Sequence, residues 1–209
     1  MTERIILTDA CVAEGADWLA AHDPRLAAAY AETGPLPLRR RPDGFEALLS
    51  AIVSQQVSTA SANAIWARME GTGLTAREAM AAAGDEDLRA VGLSRQKARY
   101  GRALAQSAVD FDMLRSLSGK DVIAELTAIP GIGVWTAEIY AMFALGRADV
   151  FAPGDLALQE AARLIYDLPA RPTERALRAM AADWSPWRSV AARLLWAYYR
   201  VAKQREGIR

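Results

Sequence analysis

The sequence is poor in the residues that build metal, redox and disulfide sites. Among its 209 residues there is one cysteine, Cys11, and one histidine, His22. A single cysteine excludes an internal disulfide, a four-thiolate zinc site and a cysteine-held iron–sulfur cluster. His22 lies in AAHDPR, away from every motif described below, so a catalytic histidine or a His-rich metal site is not expected. We therefore expect no cofactor, no required metal and a reducing, cytoplasmic location.

Long apolar runs and an excess of one charge are also missing. No stretch approaches the ~18 apolar residues of a membrane-spanning helix, and the N-terminus has no basic start followed by an apolar run. We expect neither a membrane span nor a secretion signal. Basic residues number 25 and acidic residues 25, so any site for a polyanion must be a local patch.

The secondary-structure signal is almost entirely helical. Alternating β-branched runs are scarce, whereas alanine, leucine and arginine recur at spacings of three and four residues. This pattern predicts an all-α fold, with one short strand in the opening TERIILT as the only alternative. Prolines and glycines delimit predicted helices near residues 14–21, 24–32, 44–54, 58–69, 75–82, 85–90, 95–108, 120–128, 133–145, 155–166, 173–183 and 186–202.

The Pro-Gly-Ile-Gly at 130–133 predicts a tight hairpin between two helices. Glycines there can adopt positive φ and let a foreign group touch the backbone. The amides of Gly131 and Gly133 precede the helix that carries Trp135, so they suit a phosphate oxygen. Ile132 would plug the turn into the core. The alternative is an ordinary helix–turn–helix connection in which the glycines only complete the helix ends.

Several segments together resemble one known family. The hairpin segment, LTAIPGIGVWTAEIYAMFA, is similar to that of the helix-hairpin-helix DNA glycosylase superfamily, and the Pro-Gly-Asp at 153–155 resembles its catalytic segment. Three further segments resemble, in the same order along the chain, segments of the alkylated-base branch of that superfamily. They are IVSQQVSTASA at 52–62, GLSRQKARYGRALA at 92–105 and WSPWRSVAARLLWAYYR at 184–200. The resemblance spans roughly residues 40–203.

The resemblance implies a fold of two helical subdomains flanking a cleft, in a short form without the N-terminal β domain of larger members. We expect residues 1–43 to be a helical segment that packs on a glycosylase core at 44–209, with the hairpin at about 120–145. The implied activity is hydrolysis of the N-glycosidic bond of alkylated purines, of the 3-methyladenine type, in double-stranded DNA during base excision repair. The candidate substrates are 3-methyladenine, 7-methylguanine, 1-methyladenine and deaminated bases.

Asp155 is the candidate catalytic residue that the resemblance implies. When the base leaves, the sugar becomes oxocarbenium-like, and a fixed carboxylate stabilises that charge or steers a water. From the residues alone, a cap on the helix LALQEAARLI is the favoured role of Asp155, and the resemblance shifts the prediction to catalysis.

Flipping a base out of the duplex leaves a gap that the enzyme must fill. The resemblance assigns that wedge to Gln55 and Gln56, with Gln56 entering the stack, although family members carry an aliphatic side chain there. The alternative is that the two glutamines bind neighbouring backbone at a helix end.

The resemblance also implies an aromatic pocket that stacks on a cationic base. Trp135 and Trp187 match the family's pocket positions, although most tryptophans of a helical protein lie in its core. Where the family has a pocket tyrosine, this chain has Ile139, and Tyr140 is the next residue. The resemblance therefore does not determine the shape of the pocket.

DNA phosphates should be bound by the hairpin and by local basic segments. Residues 88–109 carry five basic side chains and no acidic one, although such runs are most often solvated helix faces. A monovalent cation could also bind at the hairpin carbonyls near Ile132. The expected phosphate-binding residues are Gly131, Gly133, Val134, Thr136, Arg95, Lys97 and Arg188.

Lysines are scarce, and this bears on the reaction type. Family members that also cut the backbone place a lysine two residues after the second hairpin glycine, where this chain has Trp135. We therefore expect a monofunctional glycosylase. We also expect the protein to be a monomer and to associate with the nucleoid when it is bound to DNA. The alternatives are a non-enzymatic helix-hairpin-helix DNA-binding protein and, disfavoured by the missing lysine and cysteines, a bifunctional oxidised-base enzyme.

Overall fold

Helices make up all the regular secondary structure between residues 3 and 205, the part of the chain that the computed structural model describes. The all-α prediction is confirmed, and the opening segment forms only an isolated bridge between Ile5 and Arg147. A short 3-10 helix at Ala181–Trp184 precedes the last of the α-helices. These are α1 (Asp9–His22), α2 (Pro24–Thr33), α3 (Phe45–Ser54), α4 (Thr59–Gly71), α5 (Arg77–Ala82), α6 (Asp85–Ala90), α7 (Arg95–Gln106), α8 (Phe111–Leu114), α9 (Gly119–Thr127), α10 (Val134–Phe143), α11 (Leu156–Ile165), α12 (Glu174–Met180) and α13 (Arg188–Arg205).

The helix boundaries follow local capping. α1 begins five residues before its predicted start because Thr8 caps it, accepting a hydrogen bond from the amide of Cys11. α8 was not predicted, since a four-residue helix is too short to show a period. The last helix starts at Arg188 instead of Pro186, after a cis Ser185–Pro186 peptide bond.

The chain divides into two units. Residues 41–140 form one, which we call the hairpin unit, and the residues up to Arg40 together with those from Ala141 form the other, the terminal unit. The division falls within α10. It differs from the sequence-based proposal of a 1–43 segment on a 44–209 core, because the N-terminal helices share a unit with the C-terminal ones.

In the terminal unit, α13 packs against α1, α2 and α11. Gly15 permits a close approach there, since a Cβ at this position would lie 2.6 Å from the Trp187 ring. Arg193 is 1% exposed and donates to the carbonyls of Leu38 and Ser189, with its guanidinium 4.7 Å from the Phe143 ring centre. Burial, and then the neighbouring arginines, lower the pKa of Arg193 to about 10. The buried cation therefore anchors the segment at Leu38 to α13.

In the hairpin unit, α7 packs against α3, α5 and α6. Leu48, Leu49 and Leu104 are almost fully buried, and each such side chain contributes roughly 1.5–3 kcal/mol of transfer free energy. The hydroxyl of Tyr140 accepts a hydrogen bond from the Gly44 amide at 2.8 Å, and burial raises the pKa of Tyr140 to about 12. No described helix has the length and apolar character to cross a membrane.

Candidate active site and nucleic-acid interface

The hairpin turn requires glycine at its first glycine position. Gly131 has φ +96°, in the left-handed region, and a Cβ added there would lie 2.4 Å from Cγ of Tyr100. Any side chain would therefore meet both backbone strain and a clash with α7. Ile132, 4% exposed, fills the inner side of the turn, and its amide donates to the Ile129 carbonyl at 3.1 Å.

The outer side of the same turn is open. Gly133 is exposed, and a Cβ built on it would have no neighbouring atom within 4 Å. α10 begins at the next residue, and its first two side chains, Val134 and Trp135, are 47% and 48% exposed. Amides at a helix start favour an anion, because they lack intrahelical acceptors and lie at the positive end of the helix dipole. This surface can therefore accept a phosphate.

The predicted wedge pair separates into two roles. The Gln55 side-chain amide donates to the Gly131 carbonyl at 3.0 Å, so Gln55 supports the hairpin from the end of α3. Gln56 is exposed and has φ +55°, an unusual conformation that costs a non-glycine residue about 1–2 kcal/mol. Gln56 thus remains a wedge candidate, whereas Gln55 takes the backbone-binding alternative. A cation at the hairpin carbonyls stays a prediction, with the Gly131 carbonyl already accepting one hydrogen bond.

Lys97 does not present its charge to a phosphate. It is 9% exposed, and its ammonium donates to the Val53 carbonyl at 2.6 Å. Burial lowers the pKa of Lys97. The expected phosphate contact is therefore replaced by a helix-end contact, in which Lys97 satisfies a carbonyl of the last turn of α3. Arg95, two residues earlier, is exposed.

Arg188 is engaged within the terminal unit. It forms a bidentate ion pair with Asp149, with N–O distances of 2.7 and 2.8 Å, and the Ser185 hydroxyl donates to the same carboxylate. The hydrogen bonds that Arg188 donates to Asp149 raise the pKa of Arg188. Because Asp149 compensates the charge of Arg188, this arginine attracts a phosphate less than an exposed arginine without a carboxylate partner, and its role in phosphate binding stays a prediction.

Asp155 caps α11, as the alternative from the sequence allowed. Its Oδ1 atom accepts hydrogen bonds from the amides of Ala157 at 2.9 Å and Leu158 at 3.1 Å. The same atom accepts a bond from the indole N–H of Trp196 at 3.3 Å. Asp155 is half-buried, and three N–H donors on one oxygen fix the orientation of its carboxylate.

Trp196 is the site residue that sequence reasoning missed. Helical spacing with Tyr199 and its neighbours in α13 predicts a core position for Trp196, and the Trp196 ring does lie 5.7 Å from that of Phe143. The contact with Asp155 joins residues 41 positions apart, which no local pattern reveals. The available signal in the sequence was a tryptophan nine residues after the predicted pocket residue Trp187.

The expected pocket aromatics differ in exposure. Trp187 is 3% exposed, with the Arg4 guanidinium 4.7 Å from its ring centre, so it belongs to the core of the terminal unit. Tyr140 is 5% exposed, while Ile139 is half-buried. A base cannot stack on a buried ring without displacing its neighbours, so Trp135 is the exposed aromatic of the four predicted pocket positions. No group of three or more His, Cys, Asp or Glu side chains suited to a metal occurs among residues 3–205.

Comparison with known proteins decides the family. Residues 49–186 match the HhH-GPD superfamily of base excision DNA repair proteins, a range that contains the hairpin and Asp155. The chain belongs to this superfamily.

Three similar proteins of this superfamily are named as 3-methyladenine glycosylases or glycosidases. A solved DNA-3-methyladenine glycosidase from Bacillus halodurans is 35% identical, with a TM-score of 0.82 and 89% of each chain covered. The Schizosaccharomyces pombe 3-methyladenine DNA glycosylase Mag1, solved in complex with abasic DNA, is 28% identical, with a TM-score of 0.73 and 88% of this chain and 95% of that chain covered. A putative DNA-3-methyladenine glycosylase of Bacillus subtilis, YfjP, is 33% identical over 53% of this chain, and the match spans 40% of that protein.

The two hairpin glycines provide a matched pair of substitutions. We expect Gly131→Ala to lower the free energy of unfolding by about 1–3 kcal/mol, because of the positive φ and the contact with Tyr100. Gly133→Ala should change stability by less than about 0.5 kcal/mol but weaken DNA binding, since the methyl group projects into the open space outside the turn. Denaturant unfolding and equilibrium DNA binding measure the two effects. Equal stability losses would contradict this assignment.

Substitution of Lys97 tests whether this residue stabilises the fold or binds a DNA phosphate. Lys97→Met should lower the free energy of unfolding by about 1–3 kcal/mol, because the Val53 carbonyl loses its donor, and should leave the salt dependence of DNA binding unchanged. Lys120→Met, at an exposed lysine of α9, is the stability control. A lower salt slope in the folded Lys97 variant would return Lys97 to the phosphate-binding set.

Proposed function

We propose that the chain is a monofunctional DNA glycosylase that hydrolyses the N-glycosidic bond of alkylated purines, of the 3-methyladenine type, and leaves an abasic site for base excision repair. The observation that carries the proposal is the carboxylate of Asp155, fixed by the first turn of α11 and by the indole of Trp196, in a chain of the HhH-GPD superfamily. The relatives named above as 3-methyladenine glycosylases support the substrate class.

The reaction needs stabilisation of a departing sugar cation more than it needs an acid. An N3- or N7-alkylated purine is already positively charged, so cleavage of its bond to C1′ releases a neutral base and leaves the positive charge on the sugar. The carboxylate of Asp155 would stabilise that oxocarbenium-like charge and orient a water. Water then adds to C1′ and loses a proton, which completes the hydrolysis without a covalent enzyme intermediate.

Recognition of the base would rely on its charge. A cation over a desolvated tryptophan gains about 2 kcal/mol, whereas a neutral base obtains only stacking. Trp135, with 48% of its surface exposed at the start of α10, is the ring that we assign to this role. Flipping costs a few kcal/mol, and Gln56 would fill the vacated position in the stack.

The hairpin would hold the DNA strand through the amides at the start of α10, with Gly133 allowing the phosphate to approach. No lyase step is assigned, because a Schiff base needs a lysine amine and the hairpin has none. Lys97 binds the Val53 carbonyl, and Lys203 lies 5.2 Å from the Tyr199 ring centre. The partner is double-stranded DNA, bound by a monomer without an iron–sulfur cluster.

The direct test is incubation of the purified protein with methylated duplex DNA, followed by chromatography of the released bases. Release of 3-methyladenine without strand cleavage is expected. DNA binding without release of any base would favour a non-enzymatic helix-hairpin-helix module, and strand cleavage after release would contradict the monofunctional assignment.

Asp155→Asn separates the catalytic role from the capping role. Asparagine caps a helix about as well as aspartate, so the unfolding free energy should change by less than ~1 kcal/mol. Base release should fall by a factor on the order of 10² to 10³, the typical effect of removing one electrostatic group that stabilises a transition state.

The matched control is Asp110→Asn. Asp110 caps α8 with the same geometry, accepting from the amides of Asp112 at 2.9 Å and Met113 at 3.0 Å. This variant should release base at the wild-type rate. Unchanged base release by Asp155→Asn would remove Asp155 from the mechanism.

Trp196→Phe tests the positioning of the carboxylate. It keeps an aromatic ring but deletes the N–H that donates to Asp155, so we expect about a tenfold loss in the rate of base release, as for one hydrogen bond to a charged group. Trp184→Phe is the control, since it deletes an indole donor to the Tyr166 hydroxyl in the same unit. Equal rate losses in the two variants would reduce the role of Trp196 to packing.

A further inference from the structure

An arginine-lined groove lies between α6 and α7 of the hairpin unit. Its volume is about 510 Å³, and four of its nine lining residues are arginines. Asp85 is its only acidic residue, so the lining carries three net positive charges. The four arginines are Arg89 of α6 and Arg95, Arg99 and Arg102 of α7.

Three of the four arginines have no carboxylate partner among the described residues. Arg102 pairs with Asp85 at 2.6 Å and donates to the Ala83 carbonyl, so it holds α7 to the segment before α6. Arg89, Arg95 and Arg99 are exposed, and none forms an ion pair with another residue in the range 3–205. Their unneutralised charge in a concave surface favours a polyanion.

Tyr100 of α7 links the groove to the hairpin. The Arg99 guanidinium lies 5.3 Å from the centre of the Tyr100 ring, and the same ring packs against Gly131. The arginine face of α7 and the hairpin are therefore joined by one aromatic side chain within the same unit.

The spacing of the arginines fits a nucleic-acid backbone. Arg95 and Arg99 are four residues apart on α7, which is about 6 Å along a helix. One strand of B-DNA presents a phosphate every ~3.4 Å of duplex axis, so the two arginines match the spacing of about two phosphates. Guanidinium groups bind phosphate oxygens in bidentate fashion, which matches arginine rather than lysine at these positions.

We propose that this groove binds the phosphodiester backbone of the DNA flanking the nucleotide held by the hairpin, through Arg89, Arg95 and Arg99. The proposal rests on the DNA binding that is part of the proposed function. It makes the groove a second, damage-independent contact that lengthens the footprint on the duplex and leaves base recognition to the other residues.

The test is the salt dependence of binding by the variant Arg89→Gln/Arg95→Gln/Arg99→Gln. Two duplexes carry a central abasic site, one with long flanks and one truncated to the few base pairs around the site, and a third long duplex is undamaged. On both long duplexes the slope of log K against log salt should become shallower by about 2–3, since each lost phosphate contact removes ~0.9. On the truncated duplex the variant and the wild type should have the same slope.

Two further variants control for charge and fold. Arg175→Gln removes an exposed arginine of α12 and should change no slope. Arg89→Lys/Arg95→Lys/Arg99→Lys keeps the charges and should retain most of the slope while binding several-fold more weakly. An unchanged slope of the glutamine variant on the long duplexes, or an equal change on the truncated one, would overturn the proposal.

The outcome is separable from that of the proposed function, because the undamaged duplex needs no base release. A shallower slope in a protein that releases no base would support the groove and refute the glycosylase assignment. Base release by the wild type, together with an unchanged slope in the variant, would support the glycosylase assignment and refute the role of the groove.

Discussion

The hairpin depends on one close contact, between the backbone of Gly131 and the ring of Tyr100. The ring occupies the space that a side chain would need, and Gln55 donates to the carbonyl of the same glycine. These contacts tie the turn to α7 and to the end of α3, so its inner side is fixed. Because the inner side is filled, Gly133 and Trp135 are left on the outer side, where a ligand can approach them. Steric constraint on one glycine thus makes the other available.

Asp155 shows how a structural and a chemical role can share one side chain. Capping and catalysis compete for the same carboxylate oxygens, which from sequence alone made them rival explanations. In the structure both capping amides and the Trp196 indole converge on Oδ1. The carboxylate is therefore fixed by groups that stay in place during the reaction, and preorganised charge of this kind is what stabilises a developing cation. The cap serves as the support for the proposed chemistry.

The sequence predicted the positions of the helices better than it predicted which side chains each helix buries. The helices of three turns or more follow from periodicity and punctuation, and only the four-residue α8 escaped. The wrong predictions at the site concern which face of a helix a side chain occupies. Lys97 follows Arg95 by two residues, or about 200° around a helix, so Lys97 is buried whereas Arg95 is exposed. Likewise the resemblance favoured Trp187 as a pocket residue, but packing buries Trp187 and brings Trp196 to Asp155. Tertiary contacts decide such cases.

The same packing explains how a chain without net charge can present a site for DNA. Several of its cations are used internally: Lys97 and Arg193 bind backbone carbonyls, and Arg188 is paired with Asp149. A buried or paired cation adds little to the field outside the molecule, whereas exposed arginines without carboxylate partners add nearly their full charge. In the proposed groove, a duplex would meet the exposed arginines of α6 and α7, and the formal charge balance of the whole chain does not reveal that local excess of positive charge.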